Sequence, residues 1–439
     1  MADALKIGIA GLGTVGASLV RILQQRSNEL AVSCGRAIQI TAVSARSRNK
    51  DRGVDLSAIA WFDDPVEMAE KADIDVFVEL VGGAEGTADA SVRAALSRGL
   101  HVVTANKALL ARHGVELAKL AEEKGLLLNY EAAVAGGIPV IKAVRESLTG
   151  NSFSRVYGIM NGTCNYILTR MEKEGLSFEA CLKEAQRLGY AEADPTFDIE
   201  GNDTAHKLAI LTTLAFGSEI AAADIYLEGI SNISIEDIHA ARDLGYRIKL
   251  LGVAQRTETG IEQRVHPTMV PLDSVIAQVD GVTNAVALES DILGELLMVG
   301  PGAGGNATAS AVLGDITDIA KSRPGAQQVP VLGRPAHLLE PYRQAKMQSH
   351  EGGYFIRLSV VDRAGVFASI ATRMAENNIS LESIVQRSEH APAGTPVTII
   401  LVTHATMEDA VRKAVAAIKN EGYLVGEPQV IRIERPKAA

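Results

Sequence analysis

A short apolar strand, Leu5-Lys-Ile-Gly-Ile-Ala10, runs directly into Gly11-Leu-Gly13-Thr-Val-Gly16, and a helical pattern, Ala17 to Gln25, follows at once. This feature constrains the fold most. A turn this tight needs residues without a Cβ where backbones approach, and it aims the N-terminus of the helix at the carboxyl end of the strand. Further strand patterns at Ile38 to Val43, Val76 to Leu80, His101 to Thr104 and Leu126 to Tyr130 alternate with Ala- and Leu-rich helical stretches. That alternation predicts an α/β Rossmann-type domain, a parallel sheet covered by helices on both faces. Unpaired N–H groups at a helix N-terminus attract phosphate, so Gly11, Gly13, Thr14, Val15 and Gly16 are candidate dinucleotide contacts. The second strand leads into Ala45-Arg46-Ser47-Arg48 rather than the carboxylate that would hold a ribose 2′-hydroxyl. Arg46 suits a 2′-phosphate, which favours NADP over NAD.

The chain has 439 residues, enough for two or three domains that each bury a core. Its 43 Lys and Arg against 53 Asp and Glu give a net charge of −10, which argues against a nucleic-acid partner. Cys34, Cys164 and Cys181 lack C-x-x-C spacing and fit a reducing compartment. With no leader-like segment before the first strand and no apolar run near the roughly 20 residues of a membrane helix, the expected location is the cytoplasm, without a membrane partner.

The first domain is expected to span 1–150, with a helix starting near Pro139. A second, α+β domain at 151–320 has strands at Ile248 to Ala254, Ile261 to Pro267 and Glu295 to Val299. The glycine-rich Gly300-Pro-Gly302-Ala-Gly304-Gly-Asn then precedes a helix at Ala307 to Lys321. Residues 321–353, rich in Pro, Gly and Gln, read as a linker. From 354 to 435 the patterns run strand (Phe355 to Val361), helix (Phe367 to Asn377), strand (Ser380 to Ser388), strand (Val397 to His404), helix (Glu408 to Glu421) and strand (Val430 to Arg435). This is the ferredoxin-like βαββαβ order.

Chemistry concentrates in an acidic run, Glu192-Ala-Asp-Pro-Thr-Phe-Asp198-Ile-Glu-Gly-Asn-Asp203-Thr-Ala-His-Lys207, at the head of a helix that is apolar nearly all round, Leu208 to Phe216. Such a helix is buried, and spacing of four puts Asp203 and Lys207 on one face of it. A structural ion pair is the alternative. Thr104-Ala-Asn106-Lys107 lies beyond a strand's carboxyl end, where open sheets bind ligands, although a lysine there can equally face solvent. Cys164 has no base beside it in the sequence and reads as packing rather than a nucleophile.

Together Gly-Leu-Gly-Thr-Val-Gly at 11–16, Thr-Ala-Asn-Lys at 104–107, Asn161-Gly162-Thr163-Cys-Asn-Tyr, the block from Gly189 to Lys207 and Gly-Pro-Gly-Ala-Gly-Gly at 300–305 resemble NAD(P)-dependent homoserine dehydrogenase of the longer bacterial type, with a C-terminal ACT domain. The resemblance covers nearly the whole chain. It implies reversible NAD(P)H-dependent reduction of L-aspartate 4-semialdehyde to L-homoserine, in threonine, methionine and isoleucine biosynthesis. It implies that Lys207 is the proton donor and Lys107 lies beside the reacting oxygen and the cofactor. Glu192, Asp198, Asp203, Gly162 and Thr163 would surround the substrate, while Thr104, Gly189 and Gly304 would join the NADP site. A monovalent cation such as sodium would bind at Glu131, Val134, Gly136 and Ile138, mainly through backbone carbonyls. In the ACT module Asp362, Gly365 and Val366 resemble the turn that binds an amino-acid effector, here threonine acting allosterically, and the middle domain would dimerise to give a homodimer or homotetramer. Two other classes remain: an NAD(P)-dependent oxidoreductase for another amino-acid aldehyde, and an idle amino-acid sensor. Lys107, Glu192, Asp203 and Lys207 together argue against the sensor.

Overall fold

In the computed structural model, which describes residues 3–322, 328–345, 351–387 and 396–434, the strand before the glycine turn lies inside a parallel sheet. Strands β1 (Leu5–Ala10), β2 (Ile38–Ser44), β3 (Ala60–Phe62), β4 (Val76–Glu79), β5 (His101–Thr104) and β6 (Leu128–Asn129) are ordered β3-β2-β1-β4-β5-β6. Every pairing is parallel. The order reverses between β1 and β4, where connections leave in opposite senses and open a crevice at the carboxyl ends. Ile7, Ile9, Val76, Phe77 and Val78 are fully buried, because helices cover both faces. On one face Leu19, Val20 and Leu23 of the Thr14–Gln25 helix pack together with Val312 and Ile316 of the Gly305–Lys321 helix. That second helix, far along the chain, thus completes a layer on the dinucleotide-type sheet. On the other face lie Val92 and Leu96 of the Thr87–Arg98 helix and Leu110 and Leu117 of the Lys107–Glu123 helix.

The next strands are β7 (Phe153–Ile159), β8 (Tyr226–Leu227), β9 (Tyr246–Thr257), β10 (Gly260–Pro271), β11 (Thr283–Ser290) and β12 (Gly294–Pro301). β12-β11-β7-β9-β10 form an antiparallel sheet in that order, and β8 runs parallel beside β10. The Asn202–Phe216 helix packs on β7, β9 and β10 and, with its other side, on the Lys107–Glu123 helix. Sandwiched in this way it must be apolar all round, as its sequence is. The helix expected after Pro139 is a single α-turn, Val140–Lys142, that continues as a π-helix, Ala143–Ser147.

The C-terminal module contains β13 (Glu351–Val360), β14 (Leu381–Arg387), β15 (Val397–Thr403), β16 (Thr406–Met407) and β17 (Gln429–Ile433), with helices Val366–Glu376 and Glu408–Asn420 on its sheet. Its order, β17-β13-β15-β14, is that of a ferredoxin-like domain, and Tyr354, Ile356, Leu358, Ile370, Met374, Leu401, Val411 and Ile418 form its own core. The expected strand ends Ser388 and Arg435 lie outside the described residues. β17 also pairs in parallel with β10, through Thr268 with Arg432 and Met269 with Ile433, so the two sheets are continuous. Charged contacts fasten the junction. Arg357 donates to both oxygens of the fully buried Asp237 at 2.6 and 3.0 Å, Arg155 meets Glu434 at 2.8 Å and Arg432 meets Glu228 at 2.9 Å.

Of the expected linker, residues 328–345 are packed, and 323–327 and 346–350 lie outside the described residues. The Tyr130 hydroxyl donates to the Val331 carbonyl at 2.7 Å, and the Glu122 carboxylate accepts the N–H groups of Val331 and Ala336 at 3.1 and 2.7 Å. Among the described residues no helix is long and apolar enough to cross a membrane.

Arg357→Ala leaves the buried Asp237 carboxylate with Ser234 as its hydrogen-bond donor but without its cationic partner, and breaking a buried pair by removing one partner costs about 3 kcal/mol. The expected result is a lower urea midpoint with an unchanged slope; an unaltered midpoint would show that the junction does not depend on this pair.

Candidate active site

At the crevice, Gly11 has φ +98°, and a Cβ there would lie 2.4 Å from the Leu80 carbonyl oxygen on the β4 side. A Cβ on Gly16 would lie 2.0 Å from the Gly11 carbonyl oxygen, whereas the space around Gly13 is clear to 4 Å. Two glycines therefore close the turn and the third leaves room above the helix. That helix begins at Thr14 with Gly13 as cap and no side-chain cap, so its first N–H groups are available. The second glycine turn lies against it: a Cβ on Gly305 would be 2.7 Å from Ser18 Oγ and 3.0 Å from Thr14 Cγ2. Gly304, with φ +109°, is thereby brought beside Thr14. Room, bare N–H groups and closely approaching backbone fit a dinucleotide pyrophosphate. Arg46 is exposed just past β2. Arg52, which the sequence reading does not single out, donates to the carbonyls of Leu12 and Ser47 at 3.2 and 2.6 Å and lies 5.6 Å over the Trp61 ring. It ties the β2 loop to the glycine turn, and its only sequence signal is a third arginine after Arg46 and Arg48.

Across the crevice the predicted residues converge on one carboxylate. Lys107 opens its helix, which Asn106 caps by accepting from Leu109 N–H at 3.0 Å. The positive end of a helix is an unfavourable place for an ammonium. Lys107 Nζ lies 2.9 Å from Asp203 Oδ1, and Lys207 Nζ lies 2.7 Å from Oδ2 of the same carboxylate. Lys207 also donates to the Met160 carbonyl at 2.6 Å. The Asn161 amide donates to Asp203 Oδ2 at 2.9 Å and Asp198 Oδ1 at 2.8 Å, while its oxygen caps the Gly162–Glu174 helix through Cys164 N–H at 2.8 Å. Asp203 and Lys207 are 5 % and 8 % exposed, whereas the Lys107 side chain is 33 % exposed and faces the opening. A purely structural Asp203–Lys207 pair would have no need of a second ammonium from another domain.

Burial opposes every charge here, and the neighbours decide the outcome. Burial pushes the Asp203 carboxyl up, but the two ammonium groups outweigh it and hold the group far below the ordinary range. Burial lowers Lys207; Asp203 opposes the shift and Lys107 adds to it, leaving Lys207 below its usual 10.5. Asp198 is raised by burial and by Asp203. Burial drives the Cys164 thiol well up, and its Sγ donates to the Asp198 carbonyl at 3.2 Å, so it is no thiolate nucleophile.

Thr163 Oγ1 donates to the Tyr190 carbonyl at 2.6 Å, joining Gly162 and Thr163 to the turn at Gly189, where φ is +77°. Glu192 is not drawn into the cluster: its side chain is exposed, and its carbonyl accepts from Gln186 Nε2 at 3.0 Å. Sequence reasoning missed the part played by Asn161 and the Met160 carbonyl; an Asn just before a helix is the signal for the first. In the turn expected to hold a cation, Ala135 and Gly136 have φ of +56° and +54°. The Glu131 carboxylate is engaged by the N–H groups of Ile141 and Lys142, both at 2.8 Å, and the Ile138 carbonyl accepts Val140 N–H at 2.8 Å. The buried Val134 and Gly136 have carbonyls that no described residue bonds, which fits ligation by backbone rather than by the Glu131 side chain. In the module, Asp362 and Gly365 are exposed; Gly365, at φ +93°, caps a helix whose Val366 side chain is buried.

A dinucleotide crevice that opens onto a paired-ammonium cluster defines a nicotinamide-dependent oxidoreductase. Residues 11–131 match the family model described as the homoserine dehydrogenase NAD binding domain, residues 139–317 that of homoserine dehydrogenase, and residues 354–420 that of the ACT domain. A homoserine dehydrogenase of Neisseria gonorrhoeae is 45% identical over 432 residues, 98% of each chain. The crystal structure of a homoserine dehydrogenase from Thiobacillus denitrificans is similar with TM-score 0.92 and 42% identity over 98% of each chain. A hyperthermophilic archaeal homoserine dehydrogenase in complex with NADPH is similar with TM-score 0.62 and 28% identity, over 73% of this chain and 99% of that one. The chain belongs to the homoserine dehydrogenase family, NAD(P)-dependent oxidoreductases of amino-acid biosynthesis.

Cys34, Cys164 and Cys181 are all buried and all have raised pKa values, Cys181 to about 11. The native protein at pH 8 should therefore react slowly with a disulfide reagent at every thiol, and rapidly only after unfolding. One fast-reacting thiol in the native protein would contradict this burial.

Proposed function

We propose that this chain catalyses the reversible NADPH-dependent reduction of L-aspartate 4-semialdehyde to L-homoserine. The observation that carries this reading is the Asp203 carboxylate held between Lys107 and Lys207 at the mouth of a dinucleotide crevice. NADPH, when bound, supplies the hydride that reaches the aldehyde carbon. Lys207 has two N–H bonds directed at Met160 and Asp203, leaving one for the substrate oxygen, and it gives that oxygen its proton as the alkoxide forms. Lys107 donates to the same oxygen and stabilises its developing charge. Asp203 aims both ammonium groups and Asn161 holds Asp203. Asp198, with one oxygen on Asn161, and Glu192, on its exposed loop, are the acids available to the substrate α-ammonium.

The finer assignments rest on the same reading. NADP is preferred over NAD because Arg46 stands beyond β2 where the 2′-phosphate would lie. A monovalent cation such as sodium is taken by the Val134 and Gly136 carbonyls, with Glu131 and Ile138 shaping the turn. Threonine acts as feedback inhibitor at Asp362, Gly365 and Val366 of the module. The enzyme is assigned to the cytoplasm, as a homodimer or homotetramer, on the route to threonine, methionine and isoleucine.

The deciding experiment is the initial rate of NADPH formation from L-homoserine and NADP, with and without threonine. Turnover suppressed by threonine supports both assignments; absence of turnover with either cofactor overturns the reaction. Lys207→Ala should lower kcat at least about a hundredfold with little change in NADP affinity. Arg46→Glu should weaken NADP far more than NAD, and an equal effect on both would remove Arg46 from the site.

The pH dependence has a definite sign. Reduction needs Lys207 protonated, so its rate is full below the Lys207 pKa, which lies under 10.5, and is lost as pH rises through it. Oxidation needs the neutral amine and gains over the same window. Asp203→Asn removes the charge that opposes burial, so both profiles should move to lower pH; a stationary midpoint would assign the titration to another group.

A further inference from the structure

Glu79, the last residue of β4, is fully buried, and none of the steps above uses its carboxylate. One oxygen accepts the N–H groups of Val81 and Gly82 at 2.8 and 2.9 Å; the other accepts the Thr104 hydroxyl at 2.6 Å. The Thr104 oxygen also accepts Asn106 N–H at 3.0 Å, so the hydroxyl proton is committed to Glu79 and both Glu79 oxygens act as acceptors. Asn106 in turn caps the helix that starts at Lys107, and its amide donates to the Gly83 carbonyl at 2.7 Å. The loops leaving β4 and β5 are thus closed on each other at two places, by Glu79 and by Asn106, immediately before Lys107. The β4 loop is also the wall that Gly11 touches at the Leu80 carbonyl. Taking a carboxylate out of water is costly, and an apolar side chain would fill the end of a strand without that cost. The site needs an acceptor with two faces, one for each loop, and a carboxylate supplies both.

We propose that Glu79 is the positioning residue of Lys107: through Thr104 and Asn106 it fixes the helix start that aims the ammonium at Asp203 and the reacting oxygen. Displacement of a catalytic group by about 1 Å lowers turnover by as much as roughly a hundredfold, which sets the scale of the effect. The proposal rests on the reading that Lys107 acts at the substrate oxygen.

The test is a double-mutant cycle on kcat with E79A, K107A and the double variant, each full-length and checked by circular dichroism. Glu79→Ala should lower kcat by about ten- to a hundredfold in the parent, and by less than about twofold further in the Lys107→Ala background, because a residue that acts through Lys107 has nothing left to act on. Glu79→Gln, which keeps an oxygen for the two N–H groups, should recover part of the loss. Losses that multiply in full, or parental turnover in Glu79→Ala, would overturn the proposal. If Lys107→Ala itself turns over normally, the reading of Lys107 fails instead, and the two failures are told apart. Should Glu79→Ala not fold, Glu79→Gln is carried through the same cycle: a loss in the parent that Lys107→Ala abolishes supports the proposal, and a loss that persists in full in the Lys107→Ala background, or no loss in the parent, refutes it.

Discussion

A single buried carboxylate, Asp203, satisfies two ammonium groups that arrive from different domains, and much of the architecture can be traced to that demand. Charges at this depth are tolerated only when paired and hydrogen-bonded. Asp203 therefore needs Lys207 one turn along its own helix, Lys107 from the far wall and the Asn161 amide from a third element. The helix that presents it must be packed on both sides, by β9 and β10 below and the Lys107–Glu123 helix above. Even its entry is constrained: Gly201 sits at φ +88°, and a Cβ there would lie 2.9 Å from Val265. The cofactor domain and the sheet domain cannot separate without exposing half of a charge cluster.

Much of this was legible in the residues, for identifiable reasons. The parallel sheet announced itself because buried strands are apolar throughout and the first glycine turn has a fixed spacing. The Asp203–Lys207 pair followed from helical periodicity alone, and the order of the C-terminal strands and helices from their alternation. What escaped was set by partners distant in sequence. β11, with Asn-Ala-Val-Ala-Leu at its centre, lacks strand propensity and is extended because β7 and β12 flank it. The packed path of residues 328–345 depends on side-chain bonds from Glu122 and Tyr130, which periodicity does not register. Arg52 acts on backbone carbonyls and Asn161 on two carboxylates distant in sequence, and a local pattern says nothing of which groups a long or polar side chain will meet. Glu192 is the reverse case: it lies in the acidic run, yet the turn that carries it leaves its side chain in solvent.

Glycines and charges divide the work of bringing the two domains together. Gly136 approaches the Gly302 backbone so closely that a Cβ would lie 2.4 Å from its carbonyl oxygen, and Gly305 lies against the first turn of the Thr14–Gln25 helix. Those contacts let the Gly305–Lys321 helix return to the first sheet after the chain has built the second. Asp315 then accepts Glu131 N–H at 2.9 Å and Asp318 pairs with Lys142, locking the returning helix to the turn beside the crevice. The helical layer beside the first glycine turn is in this way assembled from Thr14–Gln25 and Gly305–Lys321, far apart in the chain.

The strand that splices the C-terminal module to the rest, β17, follows every other strand in chain order, yet it lies inside the continuous sheet, between β10 and β13. As the chain is synthesised, β7 to β12 and the returning Gly305–Lys321 helix therefore emerge before the strand that ties the module to them. Until the residues of β17 appear, β10 lacks its partner at Thr268 and Met269 and β13 lacks its partner from Gly353 to Arg357, and the ion pairs of Arg432 and Glu434 have no means of forming. Joining the two halves is a long-range closure of the slow kind. The splice between the two sheets is thus the last part of the described chain to become available for pairing.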